Sequence, residues 1–180
     1  MKSNLKIAAE SRFCRLWRLH ISSDVDRISY DDNLGVNNMI YTDMTKKAMK
    51  LCFEAHKDQV DKSGLPYVFH PFHVAEQMED EITTTVALLH DVVEDTDYTL
   101  EDLSGMGFPQ KVTDALALLT HDPAVPYLEY VAKIKHNPAA RAVKLADLKH
   151  NSDTARLGCI SEKDALRIEK YINAIKLLES

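Results

Sequence analysis

From Thr42 onward, apolar residues recur at helical spacing and turn residues break the pattern into short segments. Thr42 and Asp43 are good cap residues, and Ala48, Cys52, Ala55 and Gln59 follow on one face of a first helix. The stretch 61–66 carries Gly64 and Pro66 and reads as a loop. His70-Pro71 opens a second helix with Pro71 at its first position and Val74, Ala75 and Met78 on its buried face. A third helix is predicted over 81–96, apolar at Val86, Leu89 and Val93, and Thr99 to Asp102 caps a short fourth. Helices over 109–120, 126–136 and 138–156 are each opened by a proline. Ser161 and Asp164 cap the last, with Ala165, Ile168, Ile172 and Ile175 on one side. No strand alternation is visible, so the predicted fold is an all-α helical bundle.

Composition narrows the class. Of 180 residues, 45% are hydrophobic and 28% charged, with 5 Gly and 6 Pro, the balance of a globular helical domain. No apolar run approaches the roughly 20 residues of a membrane-spanning helix, so no membrane partner is expected. A net charge of −6 argues against nucleic acid, which needs a basic surface. Cys14, Cys52 and Cys159 are scattered and lack a Cys-x-x-Cys pair, which fits a reducing, cytoplasmic setting. The first 22 residues hold Lys2, Lys6, Arg12, Arg15 and Arg18 against Glu10, with no apolar stretch behind them. Residues 1–40 therefore read as a loosely ordered extension and 41–180 as the domain.

The informative chemistry follows Leu89. Ala87-Leu-Leu-His-Asp-Val-Val-Glu-Asp-Thr96 runs from an apolar stretch into His90 and Asp91, with Glu94 and Asp95 a turn later. On one continuous helix Asp91 and Asp95 are like charges four apart, a repulsion that a divalent cation relieves. The bland reading is a solvated acidic helix end. Upstream, His70 comes within reach if helices two and three pack antiparallel. Downstream, Asp147, Asn151 and Thr154 form a polar stripe among Val143, Leu145, Ala146 and Leu148, and Lys144 precedes Asp147 by three residues. That stripe fits a hydrogen-bonded helix face as well as an ion or ligand; the order His, His-Asp, Asp is what points to a metal.

Three stretches carry a resemblance: Lys62-Ser-Gly-Leu-Pro-Tyr-Val-Phe-His-Pro71, Ala87 to Thr96, and Val143-Lys-Leu-Ala-Asp147. They resemble the HD-type hydrolase domain of the RelA/SpoT alarmone enzymes, and the small alarmone hydrolases built of that domain alone. The resemblance runs from about Thr42 to Arg156. It implies one Mn²⁺ held by His70, His90, Asp91 and Asp147. It implies that Glu94 and Asp95 act on the attacking water, and that Lys62, Ser63, Asn151 and Thr154 touch a nucleotide. The implied reaction removes the 3′-pyrophosphate of ppGpp or pppGpp, giving GDP or GTP. Lys144 is a candidate phosphate contact or an ordinary snorkelling lysine.

Two departures bear on the substrate. Asp61 stands where the family carries an Arg that packs against guanine, and Leu148 replaces an Arg after Asp147. An acid cannot stack as a planar cation and repels phosphate. Another nucleotide, such as an adenine alarmone, and a non-catalytic nucleotide sensor are the competing expectations. His20, His56, His73, His121, His136 and His150 receive no ligand role.

Overall fold

A computed structural model describes residues 39–153 and 161–180, which lie within one compact unit, Asn37–Ser180. The expectations for residues 1–38, for Thr154 and for the end of the helix predicted over 138–156 fall outside the described residues. The described residues form nine α-helices. These are α1 (Asp43–His56), α2 (Phe69–Ala75), α3 (Glu81–Leu89), α4 (Val92–Asp95), α5 (Leu100–Gly105), α6 (Gln110–Leu119), α7 (Tyr127–Ile134), α8 (Pro138–Ser152) and α9 (Glu162–Glu179). Among them the only pairing of strand type is an isolated antiparallel bridge between Val60 and Pro66, so the fold is all-α.

Local chemistry sets most helix starts. Thr42, Thr99 and Ser161 each accept an amide three residues on, and the third helical residue bonds back, giving three capping boxes. Asp80 caps α3 by accepting the Ile82 and Thr83 amides. Pro109 and Pro126 sit one step outside their helices as N-caps, whereas Pro138 takes the first helical position. The second helix begins at Phe69 rather than at the His70-Pro71 pair, which puts Pro71 third. It is tolerated there because the first four helical amides have no intrahelical acceptor.

The core is built around α3. Thr84 through Leu89 are all buried, and α1, α2, α6 and α8 pack against this helix. A helix apolar on every side must be covered on every side. Thr84 and Thr85 enter the core because their hydroxyls donate to the Asp80 and Glu81 carbonyls. α9 lies on α8 and α7, and there the sequence expectation needs correcting. Of the expected stripe, Ile168 and Ile175 are half-buried, while Ala165 and Ile172 are exposed; the buried positions are Ala174 and Leu178, with Tyr171 half-buried. The buried stripe is offset from the one expected because the partners α7 and α8 select the face, not the isoleucine spacing alone.

A second correction concerns 81–96, expected as one helix. It breaks at His90 and Asp91, with α4 resuming as a single turn whose Asp95 amide still donates to Asp91 O at 2.8 Å. His90 and Asp91 keep right-handed helical dihedrals through the break, and their side chains converge, with His90 Nε2 3.1 Å from Asp91 Oδ2.

Candidate metal centre and nucleotide cleft

Four side chains from three segments meet at this break. His90 Nδ1 donates to the Ala87 carbonyl at 2.7 Å, in the last turn of α3. The carbonyl can only accept, so Nδ1 carries a proton, and the neutral form of the ring presents its lone pair at Nε2. His90 Nε2 is buried, lies 3.1 Å from Asp91 Oδ2 and 3.9 Å from Asp147 Oδ1, and makes no hydrogen bond. His70, from α2, places Nε2 3.2 Å from Asp147 Oδ1 and 3.5 Å from Asp91 Oδ2. One ligand atom each of His70, His90 and Asp147 lie within 4.8 Å of one another. Two imidazoles and a carboxylate, with a second carboxylate alongside, suit a divalent first-row metal. The orphaned His90 lone pair fits such an ion, because a buried polar atom without a partner is costly.

Each member of the cluster is held from behind. Tyr67 donates its hydroxyl to Asp91 Oδ2 at 2.6 Å. Asn151 donates to Asp147 Oδ1 at 2.5 Å, and Lys144 Nζ reaches Asp147 Oδ2 at 2.8 Å. α8 therefore fixes its own aspartate from one turn before and one turn after. Burial alone would raise the Asp147 carboxyl, but Lys144, His70 and His90 hold it well below the usual carboxylate range. Burial likewise opposes ionised Asp91, and His90 keeps it low. Burial would push the His90 imidazole down, yet Asp91 and Asp147 lift it to about 9. The two carboxylates thus call for positive charge between them. Cys52, close behind, is buried, with its thiol pushed up to about 12 by that burial and then by Asp91. It stays a protonated core residue.

Glu94 and Asp95 are exposed on α4. Glu94 Oε2 accepts the His121 amide at 3.3 Å; although the side chain reaches solvent, partial desolvation by its neighbours lifts the carboxyl above the ordinary glutamate range despite that bond and Lys144. Asp95 is raised by burial and then by Asp91, and its carbonyl accepts from Gln59.

A polar cleft of about 520 Å³ opens beside the cluster, lined among others by Lys62, Ser63, Tyr67, His70, Asp95 and Asn151. Arg167 and Tyr171 of α9 complete its wall. Lys144 is not among the lining residues. Asp61 borders the cleft, and its Oδ1 accepts the Ser63 and Leu65 amides at 2.8 and 3.0 Å, closing the turn whose Gly64 has φ +80°. Leu148 faces the core at 1% exposure, where a cation would bear the cost of burial. A larger, apolar groove of about 720 Å³ adjoins His70 on the side of Phe53, Phe69 and Phe72.

No family model matches the sequence. A zebrafish (Danio rerio) protein, guanosine-3′,5′-bis(diphosphate) 3′-pyrophosphohydrolase MESH1, is 35% identical over 149 residues, covering 74% of this chain and 81% of that protein. The chain belongs to the MESH1 family. The mouse (Mus musculus) MESH1 is 38% identical over 114 residues, 55% of this chain and 63% of its own length. A Mycobacterium leprae probable GTP pyrophosphokinase is 32% identical over 145 residues, and there the match spans 73% of this chain but 18% of the relative. The aligned part is thus less than two thirds of these last two proteins. The structure of a metazoan SpoT ortholog described as hydrolysing ppGpp superposes with a TM-score of 0.65, over 79% of this chain and 89% of that one, at 24% identity. That likeness establishes the fold.

Within this MESH1-family chain, three residues at the site carried no sequence signal strong enough to mark them. Tyr67 lies in the stretch 62–71, His150 next to Asn151, and His121 at a helix end. Each joins the site through a tertiary hydrogen bond rather than through spacing along one helix. His56 is buried against Tyr67, ring centroids 5.2 Å apart, with Nδ1 2.8 Å from Gln59 Oε1. Among the described residues no helix is long and apolar enough to cross a membrane.

Proposed function

We propose that this chain is a metal-dependent hydrolase that removes the 3′-pyrophosphate of ppGpp or pppGpp, with water, to give GDP or GTP and pyrophosphate. The observation that carries the reading is the convergence of His70, His90 and Asp147 beside a polar cleft, in a chain of the MESH1 family. His70, His90, Asp91 and Asp147 would hold the ion, which we take to be Mn²⁺, since mixed imidazole and carboxylate sites suit it. When bound, such an ion neutralises phosphoryl charge and acidifies a coordinated water.

The remaining work falls to the chain. In this reading Glu94, tethered by the His121 amide, takes a proton from the attacking water, and Asp95 orients that water. Lys62, Ser63 and Asn151 hold the nucleotide in the cleft; for Thr154, outside the described residues, the proposed substrate contact rests on the sequence resemblance alone. Lys144 serves by fixing Asp147, to which its ammonium is already bonded, more than by meeting phosphate. The free, buried Cys52 agrees with a cytoplasmic setting, and the working domain is 41–180.

Asp61 favours a second reading in which the same centre serves another nucleotide, since its carboxylate borders the cleft where phosphate would lie. Incubation of the full chain with Mn²⁺ and a panel of guanine and adenine polyphosphates separates the two. Release of pyrophosphate and GDP from ppGpp is expected. Turnover of an adenine counterpart alone would favour the second reading, and no turnover of any at micromolar enzyme would contradict both.

A further inference from the structure

His70 and His90 turn Nε2 toward the same point, but their other ring nitrogens are held differently. His90 is anchored by a carbonyl, which settles where its proton sits. His70 is anchored by another imidazole: among the described residues its Nδ1 has His150 Nδ1 as hydrogen-bond partner, at 2.7 Å. The two rings are nearly parallel, 19° apart with centroids at 4.8 Å, and meet edge to edge through this bond. His73 lies against His150 as well, at 4.3 Å.

A hydrogen bond between two imidazole nitrogens needs one donor and one acceptor, and which ring holds the proton decides what His70 can do. With the proton on His150 Nδ1, His70 Nδ1 accepts and its Nε2 carries hydrogen toward Asp147 and Asp91, so no lone pair is offered. With the proton on His70 Nδ1, its Nε2 is a ligand. Metal-binding imidazoles are ordinarily set in this second form by a carboxylate, carbonyl or water at the far nitrogen.

We propose that His150 is a positioning residue for the metal centre: its Nδ1 accepts the Nδ1–H of His70 and so holds His70 Nε2 as a ligand atom. The placement follows from α8. His150 is one turn after Asp147, so the helix that brings a carboxylate to the Nε2 side of His70 also brings an acceptor to its Nδ1 side. His70 is thereby gripped at both nitrogens by one element. This inference rests on the metal-centre reading above.

The test is Mn²⁺ affinity of the full chain, read from the electron paramagnetic resonance signal of the free ion. His150→Phe keeps an aromatic ring in place and removes the acceptor, and should weaken binding about ten- to a hundredfold. His150→Asn returns an oxygen acceptor near the position of Nδ1 and should restore affinity to within about threefold of the original chain. Phe binding as tightly as the original, or Asn binding as weakly as a folded Phe variant, would overturn the proposal. If the Phe variant does not fold, ¹⁵N correlation spectra of the Zn²⁺-loaded original chain decide: the proton on His70 Nδ1 is expected, and a proton on His150 Nδ1 overturns it. An original chain that binds no divalent ion would instead overturn the metal-centre reading itself, and this inference with it.

Discussion

The Tyr67 hydroxyl donates to Asp91 Oδ2 at 2.6 Å, tying the loop before α2 to the break between α3 and α4. The carboxylate is buried beside a second one, so this donor is one of few things compensating its charge. Tyr67→Phe removes the hydroxyl and leaves the ring packed on His56 and His70. A hydrogen bond to a charged group contributes roughly 1.5–3 kcal/mol, and urea unfolding of the metal-free protein should show a loss of about that size. A loss below about 0.5 kcal/mol would mean that the bond does not hold the site.

Glu94→Gln keeps the size and the bond from the His121 amide while removing the basic oxygen. Turnover of ppGpp should fall roughly a hundred- to ten-thousandfold, the usual contribution of a positioned base, with Mn²⁺ binding retained. Undiminished turnover would take Glu94 out of the proton transfer.

Asp61 presents one oxygen to two amides and a negative charge to the cleft. Asp61→Asn retains an oxygen for Ser63 and Leu65 and discards the charge. A like charge about 4 Å away costs about 1 kcal/mol in water, so KM for ppGpp should fall about fivefold with kcat unchanged. Steady-state kinetics checks this, and an unchanged KM would show that substrate phosphate does not approach Asp61.

The α3 cap gives a pH-dependent stability. Burial alone would raise the Asp80 carboxyl; the Thr83 and Ile82 amides and the Thr83 hydroxyl outweigh it and hold the group below the ordinary aspartate range. A carboxyl lowered on folding contributes stability that is complete above its unfolded pKa and lost as pH falls through the folded one. Asp80→Ala should therefore cost about 1 kcal/mol near neutrality. The gap between the two proteins should close as pH drops below the ordinary aspartate range. Urea unfolding at several pH values measures it, and a constant gap would assign the loss to something other than the charged cap.

What the sequence revealed depended on how local each signal is. Thr99 with Asp102 and Ser161 with Asp164 were legible because a capping box lies within four residues. The break at His90 and Asp91 was not, since apolar periodicity runs from Val86 through Val93 without a Gly or Pro to interrupt it. The α9 stripe was misread for a related reason: Ile172 matches the helical period yet points to solvent, while small Ala174 is the residue that fits against its neighbours. At the site, the order of His70, His90-Asp91 and Asp147 was readable as a set. Tyr67 and His150 were not, because a hydrogen bond across 24 or 80 positions leaves no periodic trace.

The most direct measurement is anomalous diffraction from crystals of this chain grown with Mn²⁺. A single peak is expected roughly 2 Å from His70 Nε2, His90 Nε2 and an Asp147 oxygen, with Asp91 in reach of the same ion. An ion bound elsewhere, or His70 or Asp147 standing beyond bonding distance of it, would contradict the metal centre on which the proposed hydrolysis depends.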